Sequence, residues 1–221
     1  MKKDIKMNSP LVSCIMPTAN REKFIPFAIA YFFNQNYRNK ELVIIDDGKE
    51  SVAHLIPKHP SIRYFYTDPI GTIGLKRNYA CEKARGEIII HMDDDDWYAQ
   101  DWIRQQVNCL LNSGADMCGL QHIHYYSIIM DKLYTVIRQY EDGSDPKDWV
   151  AGGTLAYWKS FWEKHPFKDL QKGEDDDFIQ KSGARLFVHD YRDGFVALLH
   201  PYNTVIRSFE NPKHKALNHE G

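Results

Sequence analysis

Through roughly the first 120 residues, short apolar runs alternate with stretches whose apolar positions recur at helical spacing. Residues 11–16, 41–46, 62–66 and 87–92 are runs of strand length. The Leu-Val-Ile-Ile segment within the second has no polar alternate, which is how a strand buried on both faces reads. Pro17 is expected to end the first run. Residues 22–34 place Phe24, Phe27, Ala28, Tyr31 and Phe32 on one helical face, with Pro26 tolerable in the first turn. A second helix is expected over 72–84, closed near Gly86, and a third over 99–112. Strands that alternate with helices predict an α/β fold built on a parallel sheet with crossover helices.

Beyond this point the pattern loosens. Residues 117–124 read as a strand, 125–140 as a hairpin region, 174–181 as a short helix and 195–199 as a late strand. Gly152–Gly153 marks a tight passage of the backbone. With no repeat or linker in 221 residues, the expectation is one domain over 1–221. Its two lobes would cover about 10–120 and, more mixed, about 121–221.

Composition adds exclusions. Hydrophobic residues at 43% and charged ones at 26% describe a globular chain. A net charge of −2 supplies no field that would recruit nucleic acid or anionic lipid, so any phosphate recognition is local. Cys14, Cys81, Cys109 and Cys118 form no CxxC pair and are expected to be reduced thiols. No stretch has the length and apolarity of a membrane span, and the first residues lack a signal-peptide core, so the chain reads as cytoplasmic.

The chemistry collects at strand ends, where open α/β sheets bind ligands. The first strand runs into Pro17–Thr18, the second into Asp46–Asp47–Gly48 and the fourth into Asp93–Asp94–Asp95–Asp96. Four adjacent carboxylates repel one another unless a cation neutralises them, and oxygen ligands suit Mg²⁺ or Mn²⁺. Asp93 and Asp95 have the spacing that puts two carboxylates on one side of an extended turn, while Asp96 is placed to cap the next helix. A second acidic cluster, residues 174–177, opens a helix. There Asp175 shares a face with Phe178 and Ile179, which points it inward as a candidate general base, and Asp177 falls outward beside Lys181. Lys76 and Arg77 lie early in a helix where a phosphate would meet backbone N–H groups, and at least one of them should be solvated. His200 ends the late strand; His122 and His124 read as sheet residues.

In their order and spacing, these segments resemble the inverting, GT-A-fold glycosyltransferases of the family-two type. The resemblance runs through residues 12–21, 41–48, 74–78 and 84–90, the aspartate run with Trp97, residues 173–175, and His200 with Asn203–Thr204. It implies a nucleotide-sugar donor, of which UDP-sugars are the commonest, held by Pro17, Thr18, Asn20, Arg21, Asp47, Arg77 and Asp94, with Asp47 reading the base. It also implies that Asp93 and Asp95, as a DXD motif, hold Mn²⁺ or Mg²⁺ together with His200, and that Asp175 is the catalytic base. The acceptor would be a glycan, a lipid-linked or a small molecule. Lys76 stands where many relatives carry a small residue, and Asn203-Thr204-Val205 departs from the usual Asn-Thr-Ser ending.

Rival classes meet specific obstacles. A sugar-phosphate nucleotidyltransferase needs a glycine-rich phosphate loop after the first strand, and residues 17–21 contain no glycine. An aspartate-nucleophile phosphohydrolase needs Asp-x-Asp there. A non-catalytic nucleotide-sugar-binding protein would keep the pocket and lose turnover.

Overall fold

The computed structural model describes residues 9–136 and 149–203, and the backbone alone of 216–218. The first half supplies β1 (Val12–Thr18), α1 (Ile25–Asn34), β2 (Lys40–Asp46), β3 (Ile62–Tyr66), α2 (Ile73–Lys83) and β4 (Ile88–His91). Next come β5 (Trp97–Tyr98), α3 (Trp102–Ser113), β6 (Met117–Leu120), β7 (Ile123–Ser127) and β8 (Lys132–Val136). The remainder supplies β9 (Ala156–Trp158), α4 (Lys159–Trp162), α5 (Glu174–Lys181), β10 (Leu186–His189), β11 (Phe195–Leu199) and β12 (Ala216–Asn218).

A seven-stranded sheet in the order β10-β6-β9-β4-β1-β2-β3 forms the centre, and β9 is its antiparallel member. A five-stranded sheet, β12-β8-β7-β11-β5, stands beside it. The period of two is visible in the packing. Val12, Cys14, Met16, Leu42, Ile44, Ile88 and Ile90 enter one apolar cluster. Their alternates Ile15, Val43, Ile45 and Ile89 enter the other. The central strands are therefore buried on both faces, as their unbroken apolar runs require.

Several boundaries differ from expectation for identifiable reasons. Pro17 lies inside β1, paired with Ile45, rather than ending it. The β4 ladder stops at Ile15↔His91, so the missing N–H of Pro17 breaks no bond on that side. Helix α1 starts at Ile25, with Pro26 in its first turn. Gly86 does not close α2, whose C-cap is Ala84. A Cβ on Gly86 would lie 2.6 Å from both Leu11 O and Ser13 N, so glycine there permits a close approach to β1. The run 117–124 divides into β6 and β7, and β7 with β8 forms the expected hairpin as far as Val136; residues 137–140 lie outside the described ones.

All four cysteines are free. Among the described residues, no helix is long and apolar enough to cross a membrane.

Candidate active site

The ends of β1 and β4 and the segment after β11 meet around the aspartate run. Thr18 Oγ1 donates to Asp94 Oδ2 (2.5 Å), and Arg21 Nη1 stands 2.8 Å from both Asp94 Oδ1 and Asp95 Oδ2. From the other side His200 Nε2 lies 3.0 Å from Asp95 Oδ2, and Asn203 Nδ2 donates to the same oxygen at 3.3 Å. The His200 ring stacks on Phe24, with centroids 4.4 Å apart. Asp96 is not a helix cap: β5 intervenes before α3, and its Oδ1 accepts the Leu198 N–H (3.1 Å).

These neighbourhoods split four identical side chains. Burial pushes Asp94 up to about 6, against the opposing pull of Arg21. Burial and the adjacent Asp95 and Asp93 push Asp96 well above the usual carboxylate range. For Asp95 the raising effect of burial is outweighed by the bonds from His200 and Arg21, which hold it below that range. Asp93 is the member most open to solvent, its side chain 24% accessible, with Arg77 Nη1 3.5 Å away.

Arg77 joins this cluster to the second one. It is buried, with Nε 3.3 Å from Glu174 Oε1 and Nη1 2.8 Å from His91 Nδ1. Lys76 is also turned inward, against Asp47. Of the pair, Arg77 is buried, while Lys76 is half-buried and lines the cavity. Helix α2 is covered on its second side by residues 168–174: Gly74 N donates to Leu170 O, and a Cβ on Gly74 would overlap Lys168 O. Glu174 and Asp175 are both raised, each first by burial and against the pull of Arg77. Asp175 lies against Gly152, while Phe178 and Ile179 are buried beneath the helix, as the spacing predicts. Asp177 pairs with Lys181 (2.6 Å). His124 is a sheet residue, with its Nδ1 2.9 Å from Thr135 Oγ1.

One cavity of about 760 Å³ takes in Pro17, Thr18, Arg21, Arg77, Asp93, Asp94, Asp95 and Asp175. Asn20, Asp47 and His200 do not line it: Asn20 is exposed, Asp47 half-buried and His200 buried. Asn20 adopts a φ of 55°, and its Oδ1 accepts the Lys49 N–H (2.8 Å), which fixes the turn after β2. Asp47 accepts from Ile70 N (3.2 Å) and is separated from the cavity by Lys76, which does line it. Of the three expected metal ligands, His200 bonds directly to Asp95, and Asp93 stands apart beside Arg77. Among the described residues no three His, Cys, Asp or Glu side chains form a ready metal cage. Sequence reasoning passed over His91 and the Glu174–Arg77 pair. A polar residue closing the apolar run 88–90 was the available signal for the first, since a buried histidine needs partners.

Comparison with known proteins shows the family and the fold. A sequence model of the family described as "Glycosyl transferase family 2" matches residues 13–173. An uncharacterized glycosyltransferase of Haemophilus influenzae is 37% identical over 112 residues, covering 48% of this chain and 45% of that protein. Glycosyltransferase GlyA of Streptococcus pneumoniae is 22% identical over 192 residues, 77% of this chain and 27% of that one. The chain thus spans less than half the length of these relatives. Among solved structures, S. aureus TarS 1–349 in complex with UDP-GlcNAc superposes with a TM-score of 0.68 at 18% identity, over 88% of this chain and 60% of that one. The mannosyltransferase PcManGT from Pyrobaculum calidifontis, in complex with GDP-Man and Mn²⁺, gives 0.66 at 17% identity, over 87% and 57%. Both share the GT-A fold with this chain. With the family model covering most of the sequence and the strand-end carboxylates in place, the chain belongs to glycosyl transferase family 2.

Proposed function

We propose that this chain transfers a sugar from a nucleoside-diphosphate donor of the UDP-sugar class to an acceptor hydroxyl, with inversion at the anomeric carbon. The observation that carries the reading is that one cavity holds two separate carboxylate groups, Asp93–Asp96 and Asp175, with the Arg77 guanidinium enclosed between them. Direct displacement needs this division: charge stabilisation at the leaving diphosphate and one base at the acceptor hydroxyl.

Asp175 is the base. Burial raises its proton affinity, against the pull of Arg77, which is the direction a general base requires. Arg77 and Arg21 line the cavity and supply fixed positive charge for phosphate oxygens. Thr18 and the end of β1 bound the nucleotide side, and Asp47 reads the base once Lys76 moves aside. Asp93 and Asp95 fit a Mg²⁺ or Mn²⁺ ion, since such ions take one or two carboxylates and complete their shell with substrate phosphates and water. Asp93 is the most open of the run, and His200 orients Asp95. When bound, the ion supplies Lewis-acid stabilisation of the departing diphosphate.

A panel of nucleotide sugars, screened for nucleotide release with and without Mn²⁺, tests the reading, and NMR of the product reports the anomeric configuration. UDP-sugars should be turned over with Mn²⁺, and Asp175→Asn should abolish release while leaving UDP binding intact. Binding without turnover of any donor would make the chain a nucleotide-sugar-binding protein.

A further inference from the structure

The Gly152–Thr154 turn separates the two carboxylate groups, and neither of its glycines has a positive φ. Backbone freedom therefore does not explain them; space does. A Cβ on Gly152 would overlap Asp175 Oδ2 and stand 2.7 Å from its Cγ and 2.9 Å from its Cβ. Rotation about χ1 would free the carboxylate but not the Asp175 Cβ, so the start of α5 would have to shift. The turn cannot retreat. Ala151 N donates to Leu120 O (2.7 Å), Leu120 N donates to Thr154 Oγ1 (2.9 Å), and the Gly152 carbonyl lies 2.7 Å from His91 Nδ1. A Cβ on Gly153 would face the other way, 3.2 Å from Asp96 Oδ2 and 3.3 Å from Asp93 Oδ2.

We infer that Gly152 is a positioning residue for Asp175, its bare Cα forming the seat of the carboxylate, and that Gly153 separately sets the room behind Asp93 and Asp96. The inference rests on Asp175 being the base. A methyl group at 152 displaces the carboxylate toward the cavity; a methyl group at 153 presses on the acidic run.

Gly152→Ala, Gly153→Ala and Asp175→Asn test it with calorimetry of UDP plus Mn²⁺ and with the pH profile of nucleotide release from the best-hydrolysed sugar of the panel. Gly152→Ala should bind UDP·Mn²⁺ at the wild-type stoichiometry and within about threefold of its affinity. Its turnover should fall at least about tenfold. Its acidic limb should move to lower pH, because less burial lowers Asp175, while Arg77 from α2 and Glu174 and Asp176 on its own helix still face it. Gly153→Ala should change Mn²⁺-supported binding and leave that limb in place. A stability cycle checks the contact without activity: the Tm loss from Gly152→Ala should be at least halved in an Asp175→Gly background, which removes the Cβ as well as the carboxylate. Loss of release in Asp175→Asn with a wild-type profile in Gly152→Ala overturns this inference alone, as does an undiminished Tm loss in the cycle. Normal release in Asp175→Asn overturns the base assignment beneath it.

Discussion

Arg21 Nη1 stands 2.8 Å from Asp95 Oδ2 and the same distance from Asp94 Oδ1, so one guanidinium holds two adjacent, nearly buried carboxylates. Its Nη2 donates to the Tyr202 carbonyl (2.9 Å), which ties the segment after β11 to the same point. Removing one partner of such a cluster leaves uncompensated charge. Arg21→Gln should cost about 3 kcal/mol in chelator, and Mn²⁺ should raise the Tm of the variant more than that of the wild type. Equal Mn²⁺ shifts in thermal melts would mean that Arg21 is not the counter-charge of this cluster.

Asp95 receives Arg21, His200 and Asn203 on a single oxygen, Oδ2. Asp95→Ala should weaken Mn²⁺-supported UDP binding at least about tenfold, roughly 1.4 kcal/mol. Calorimetry with and without Mn²⁺ measures it, and an unchanged affinity would remove Asp95 from the donor site.

Asp47 is closed off from the cavity by Lys76. Contacts to a nucleobase are nearly equal in ground and transition states, so Asp47→Ala should raise the donor KM more than it lowers kcat. A collapsed kcat at wild-type KM would assign Asp47 another task.

The imidazole of His189 lies between Gln106 and Trp102, and burial holds it down to about 4 from the usual 6.5, with Asp190 opposing. As pH falls through 6.5 the unfolded chain takes up a proton that the folded chain refuses until about pH 4. Stability should therefore drop on acidification, by about 2 kcal/mol between pH 6.5 and 5 from this group. Urea melts of His189→Gln should lack that component of the slope; an identical slope would place the acid sensitivity elsewhere.

The parallel core was legible because β1, β2 and β4 carry apolar residues at consecutive positions, a pattern that needs no partner to interpret. Strand-end carboxylates were legible for the same local reason, and the face of Asp175 followed from its spacing to Phe178 and Ile179. What escaped was decided by segments distant in sequence. Helix α2 looked half solvated until residues 168–174 covered it, with Leu170 bonded to Gly74 and Glu174 paired with a buried Arg77. Asp96 looked like a cap because nothing local reveals that Leu198 needs an acceptor. Asn20 sat within a matching motif, yet its side chain is spent on the turn at Lys49.

The bond between His200 and Asp95 joins residues 105 positions apart. At a synthesis rate of about 5–20 residues per second, that separation is roughly 5–20 s on the ribosome. Throughout this interval a nascent chain carries the full acidic run without its C-terminal partners. Arg21, made well before Asp93, is the counter-charge already present. The order of the chain thus makes Arg21 available to the acidic run before His200.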